Sequence, residues 1–195
     1  MSDIIDLISG AGPDVHALRD ARPQARENAQ LSFEALFEPA EPGTFAPEER
    51  LAVAAFVSAL HGDEDAAAFY GDLLADVADP AFVAAVAESA AALCSQGPTG
   101  TYREPALAPE STPTVDAVLP PAQAELLGRR LAAGLEHAHV LVFHPRDSRQ
   151  ERLETLILAG WSLEDIVSLS QAVAFLSFQL RAAAGLRALA AEEAS

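Results

Sequence analysis

Apolar residues along this chain recur at helical rather than alternating spacing, and the runs are separated by proline or glycine. Pro47, Glu48 and Glu49 open a run that continues to Leu60. Proline in a first helical turn has no amide to leave unpaired, and the two acids sit at the positive pole of the helix. Gly62 is a stop, and Asp63 restarts the helix as a cap. Asp79 and Pro80 begin another helix by the same device. Val83, Ala87, Ala90 and Cys94 are predicted to share its small apolar face before Gly97 ends it. A helix from Pro121 to Phe143 must end at His144, because a residue before proline resists the α conformation. Ser148 with Glu151, and Ser162 with Asp165, have capping-box spacing on either side of Gly160. The last run, LEDIVSLSQAVAFLSFQLRAAAGLRAL, is apolar around most of its circumference and is predicted to lie in the core or a subunit interface.

These elements divide the chain. Residues 1–45 form a helical extension, with Ile4, Ile5, Leu7 and Ile8 in a short docking helix and Pro23 to Phe37 in a longer one. Residues 46–96 hold the interrupted helices, 97–121 a proline-rich connection, and 122–195 the carboxy-terminal helices. A chain of 195 residues suits one domain. Half the residues are apolar but only 6% aromatic, with much alanine, which favours close-packed helices over a sheet. The expected fold class is all-α.

Charge narrows the partners. A net charge of −17 repels a phosphate backbone or an anionic membrane surface, so neither nucleic acid nor membrane is expected. The opening MSDIIDLISGAGPD lacks the basic and apolar regions of a leader, and the expected compartment is the cytoplasm. Cys94 is the one cysteine, which excludes an intrachain disulfide, a C-x-x-C redox pair and a multi-cysteine zinc site. Gly-rich phosphate loops, nucleophile elbows and zinc-protease motifs are absent from the sequence.

The stretch FAPEERLAVAAFVSALHGDEDAAAFYG resembles the redox segment of the carboxymuconolactone decarboxylase and alkylhydroperoxidase D superfamily. HPRDSRQERLETLILAGWSLEDIVSLSQAVAFLSFQLRAAAGLRAL is similar to the final helices of its peroxidase-related branch. The resemblance spans about Arg22 to Leu189 and implies an alkylhydroperoxidase D-like helical fold that forms a homo-oligomer: a dimer, a trimer or a larger closed ring. Peroxidase members of the family carry a glutamate in the first helix, C-x-x-C at the restart, and a histidine four residues beyond. A helix amino terminus activates one thiol there, the other resolves its oxidised form, and Glu with His relays protons. Here Asp63 and Ala66 stand at the cysteine positions, Tyr70 at the histidine and Leu51 at the glutamate, with Glu48 and Glu49 on other faces. The resemblance therefore implies the family's frame without its thiol peroxidase cycle, and no cofactor. The expected function is binding of a small molecule or a related subunit.

Several residues compete for a residual role. Asp63 and Tyr70 are seven apart, hence on nearly one helical face, and read either as an acid and hydroxyl lining a pocket or as a cap and a buried ring. His61 is a base or a turn residue. Cys94 is a lone peroxidatic thiol or, with no basic neighbour in sequence, an inert buried one. In EHAHVLVFHPRD, His137, His139 and His144 lack the i, i+4 spacing of a metal pair, so no metal is expected. His137 and His144 instead join Gln171, Phe175, Phe178 and Gln179, one sector of the last helix, as a candidate ligand wall, unless the amides of that sector bond one another or backbone groups across a subunit interface. Activity through Cys94 or the histidine-rich half, as an oxidoreductase or a decarboxylase or isomerase, is the alternative.

Overall fold

The computed structural model describes residues 3–114 and 116–193. Among them are nine α-helices and no strand: α1 Ile4–Ser9, α2 Pro13–Asp20, α3 Pro23–Phe37, α4 Pro47–Leu60, α5 Glu64–Ala75, α6 Pro80–Leu93, α7 Pro121–Phe143, α8 Gln150–Ala159 and α9 Leu163–Glu193. The all-α expectation holds, with proline in the first turn of α2, α3, α4, α6 and α7.

α4 is the centre. Ala52, Val53, Ala54, Phe56 and Val57 are fully buried, and α5, α6, α7 and α9 all pack against it. Alanine on this surface lets the helix axes approach closely. One hydrophobic cluster runs from Ile4 through α4 and α7 to Ala183, so all four sequence segments contribute to the same core. α9 supplies Leu169, Ala172, Val173, Leu176 and Leu180 to that core. Its opposite stripe exposes Leu163, Val167 and Phe178. It is long and apolar enough to cross a membrane by length and composition, but its inner stripe is occupied by protein.

Arg130 clasps the two halves together. Its guanidinium donates to Glu49, to the Thr44 and Gly160 carbonyls and to Asp165, and it lies 4.2 Å from the centre of the Trp161 ring. Trp161 anchors the packing after the Gly160 turn: it is buried, meets Phe45 at 5.1 Å and donates its indole N–H to the Arg130 carbonyl at 2.7 Å. Gly134 makes room for it, since a Cβ there would stand 2.5 Å from Trp161 Cζ2.

Four local expectations are corrected. Ser148 does not cap α8. Pro145–Asp147 forms a 3-10 turn that takes up the Ser148 amide, and the helix starts one residue later, from Arg149 with no side-chain cap. By contrast the Ser162 and Asp165 box forms, at 3.1 and 3.4 Å. α7 is not continuous, because Gly128 has φ 78° and ψ 155° inside it. The buried face of α6 is Ala85, Val86, Ser89 and Ala90, whereas Ala87 is exposed. An all-round apolar helix has little polarity to fix which side turns inward. Finally, Cys94 is exposed rather than buried: α6 ends at Leu93, and Cys94 leaves it with ψ 130°.

Candidate functional site

At the α4–α5 break, Gly62 has φ 69°, a conformation natural to glycine, and Asp63 caps α5 by accepting the Ala66 amide at 3.1 Å. The second carboxylate oxygen pairs with Arg187 of α9, which also donates to the Ile8 carbonyl at 2.9 Å. Ala66 is fully buried. Tyr70, also fully buried, has its hydroxyl 2.7 Å from Gln179 Nε2 and 3.1 Å from Gln179 Oε1. Burial pushes this phenol well above its usual range. Leu51 packs against the core, and Glu49 is committed to Arg130. Asp63 and Tyr70 do share a helix face, but each is taken by its own partner on α9.

His61 has a different setting. It lines a cavity of about 420 Å³ between the end of α4, the α6 exit, the end of α7 and α9. Leu60, Pro98, Val142 and Phe143 make its apolar wall; Ser95, Gln96 and Arg181 make its polar one. The His61 Nε2 lies 3.2 Å from Ser177 Oγ. Burial holds the imidazole below the usual histidine range, the Arg181 charge adds to this, and Asp63 opposes it. Neither Asp63 nor Tyr70 lines this cavity. Arg181 and Ser177 went unnoticed in the sequence, although Arg181 is the lone charge between Ile166 and Leu186 of an otherwise apolar helix.

The third polar region is the end of α7. His139 Nε2 lies 3.1 Å from the Leu93 carbonyl and His137 Nε2 3.4 Å from Ser170 Oγ, while the Nδ1 atoms of both are buried without a hydrogen bond. His144 is 1% exposed, and neither of its nitrogens has a hydrogen-bond partner. The nearest carboxylate oxygen, Asp147 Oδ2, is 3.8 Å from its Nδ1. The rings of His139 and His144 meet at 5.4 Å, since the chain leaves the helix at His144 with φ −148° and turns back. Helical spacing alone places these two on different faces, and only the turn at His144 brings their rings together. Burial pushes His137 and His139 down to about 4, with the Arg152 charge adding for His137 and the neighbouring His144 for His139. All are neutral imidazoles at neutral pH. Among the described residues, no group of three or more His, Cys, Asp or Glu is arranged to hold a metal ion.

Asp147 joins this region to the proline-rich connection. It accepts from Thr114 Oγ1 at 2.7 Å and from the Thr101 amide at 3.1 Å, and the Thr114 bond is the largest cause holding its carboxyl below the usual range. It also lines a cleft of about 590 Å³ shared with Arg149, Asp116, Glu151 and Arg152, in which Arg152 is paired with Asp116.

The expected ligand wall on α9 divides. Gln171 is exposed and Phe178 is 55% exposed, whereas Gln179 is fully buried against Tyr70. Eight residues advance a helix by about 80° beyond two full turns, enough for the core to cover one edge of the sector and leave the other in solvent. His137 and His144 therefore do not meet Gln171 in one pocket wall: both are buried, and Gln171 is exposed.

Chemically, neither Asp63 nor Tyr70 at the restart is free to act. The His61 cavity offers a hydrogen-bonding imidazole, an amide and a guanidinium around an apolar wall. No protein-family model, curated protein or solved structure matches this chain.

Proposed function

We propose that this protein is a thiol-free relative of the carboxymuconolactone decarboxylase and alkylhydroperoxidase D superfamily that binds a small molecule in the His61 cavity instead of turning over peroxide. One observation carries the reading. The residues at the family's redox positions are consumed by structure, Asp63 by the Ala66 amide and Arg187 and Tyr70 by Gln179, while His61 beside them lines an open cavity. The protein works as a homo-oligomer in the cytoplasm. The exposed apolar side chains Leu153 and Ile157 on α8 and Leu163, Val167 and Phe178 on α9 support self-association, and a lone cysteine suits a reducing compartment.

Two measurements test this. With tert-butyl hydroperoxide and dithiothreitol, peroxide consumption stays at the rate of buffer. In NMR spectra, the His61 ring signals shift saturably with at least one member of a broad fragment set; no response to any fragment would sink the binding reading. Mass measurement at micromolar concentration gives a dimer or larger, and a monomer there would remove the oligomer. A single-cysteine peroxidase is the second reading, favoured by the exposure of Cys94. Its thiol sits at the carboxy-terminal, negative end of α6, which offers an incoming peroxide no positive charge. Peroxide turnover that vanishes in Cys94→Ser would establish this second reading and displace the first.

A further inference from the structure

We propose that the His61 cavity is selective for a small organic anion with an apolar body, and that Arg181 is the residue that holds its charge; this rests on the small-molecule reading above and specifies the class of ligand.

The chain has 29 acids against 12 basic residues, every one of them arginine. Five of them, Arg19, Arg26, Arg130, Arg152 and Arg187, are each paired with an Asp or Glu. Arg181 is among the seven that make no ion pair, and its guanidinium makes no hydrogen bond either among the described residues; what sets it apart is the cavity it lines. The residues lining its cavity include no carboxylate. The cleft at Thr101 provides the internal comparison. It also holds two arginines, but Asp116, Asp147 and Glu151 line it with them and Arg152 is already paired.

The carboxylate closest in effect to the His61 imidazole is Asp63, and that one is bound to Arg187 and to the helix amide. The cavity is therefore a local positive site within a strongly negative molecule, the setting in which a guanidinium discriminates by charge. The rest of the lining sets the rest of the ligand. Val142, Phe143 and Leu60 contribute apolar surface to the same cavity as the polar groups Ser95 and Gln96. A carboxylate on an aryl or alkyl body fills both requirements, its oxygens against Arg181 and its body against Phe143.

The test uses three probes of one shape and different charge on the full-length protein: benzoate, benzamide and benzylammonium. The readouts are the His61 ring signals and the amides of Ser95 to Gly97 in NMR titrations. Benzoate is expected to shift them saturably, benzamide to bind about tenfold more weakly or worse, and benzylammonium not to bind. Arg181→Gln is expected to weaken benzoate about tenfold while leaving benzamide unchanged, and Arg181→Lys to retain part of the difference. Arg181 is exposed, so both variants are expected to keep the wild-type amide spectrum. Equal binding of benzamide and benzoate, or unchanged benzoate affinity in Arg181→Gln, overturns the anion assignment and leaves a small-molecule site standing. Failure of benzoate to bind also overturns it, and the broader fragment set then decides the reading beneath it.

Discussion

The α4–α5 restart and the end of α7 are both polar and both buried, yet they treat their polar atoms in opposite ways. At the restart, Asp63 uses both carboxylate oxygens, and the Tyr70 hydroxyl meets the Gln179 amide. At the end of α7, His137 and His139 each leave one nitrogen unpartnered, and His144 leaves two. A buried polar group that lacks a partner costs roughly 1–3 kcal/mol, so the first region adds stability and the second subtracts it. Complete satisfaction of its polar atoms is the reason the restart is structural.

Four perturbations distinguish the two regions, the largest effect coming first. Tyr70→Ala should cost about 3–5 kcal/mol in urea denaturation, because it removes a fully buried ring and strands Gln179. A loss below about 1 kcal/mol would mean that the restart is not packed as described.

Acid should act on the other region. The folded values of His137 and His139 are near 4, against an ordinary 6.5. The unfolded chain therefore takes up protons that the fold refuses. The contribution of these residues is whole above pH 6.5 and is lost as pH falls toward 4, at about 1.4 kcal/mol for each unit of depression. Stability measured between pH 7.5 and 4.5 should fall by a few kcal/mol, and His137→Gln with His139→Gln should flatten that slope. An unchanged slope in the double variant would assign the acid sensitivity elsewhere.

Asp63→Ala comes third, with a loss of about 1–2 kcal/mol from the missing cap and the released Arg187. Thermal melting is the measurement, and Asp63→Asn should recover part of the loss by keeping the cap. Smallest, and of opposite sign, is His144→Leu. Replacing an imidazole that has no partner by an apolar side chain should be neutral or stabilising by up to about 1 kcal/mol. A clear destabilisation would show that His144 has a partner in solution.

Most of the helical frame was legible because it is punctuated by residues with strong backbone preferences. Pro23, Pro47, Pro80 and Pro121 each begin a helix, and Gly62 and Gly160 each end one. The frame was misread where punctuation is ambiguous. Ser148 has the right spacing to cap, but Pro145 two residues after the helix end builds a turn that displaces it. Gly128 gave no warning, because a glycine within a helical pattern is usually tolerated. At the candidate site, the role of Asp63 as a cap followed from local chemistry. The meeting of His139 with His144, and of Tyr70 with Gln179 across 109 residues, did not, since neither contact leaves a periodic trace. Cys94 shows the limit of residue-type averages: thiols are usually interior, yet this one follows the last turn of its helix into solvent.

Arg187 donates to the Ile8 carbonyl, and α9 packs over α1. During synthesis the chain emerges from its amino terminus, so Ile4, Ile5 and Ile8 leave the ribosome long before the helix that covers them. Contacts this distant in sequence form late. The cover over α1 is therefore complete only after α9 has been made, and until then part of the apolar surface of Ile4, Ile5 and Ile8 is open to any binder of nascent chains.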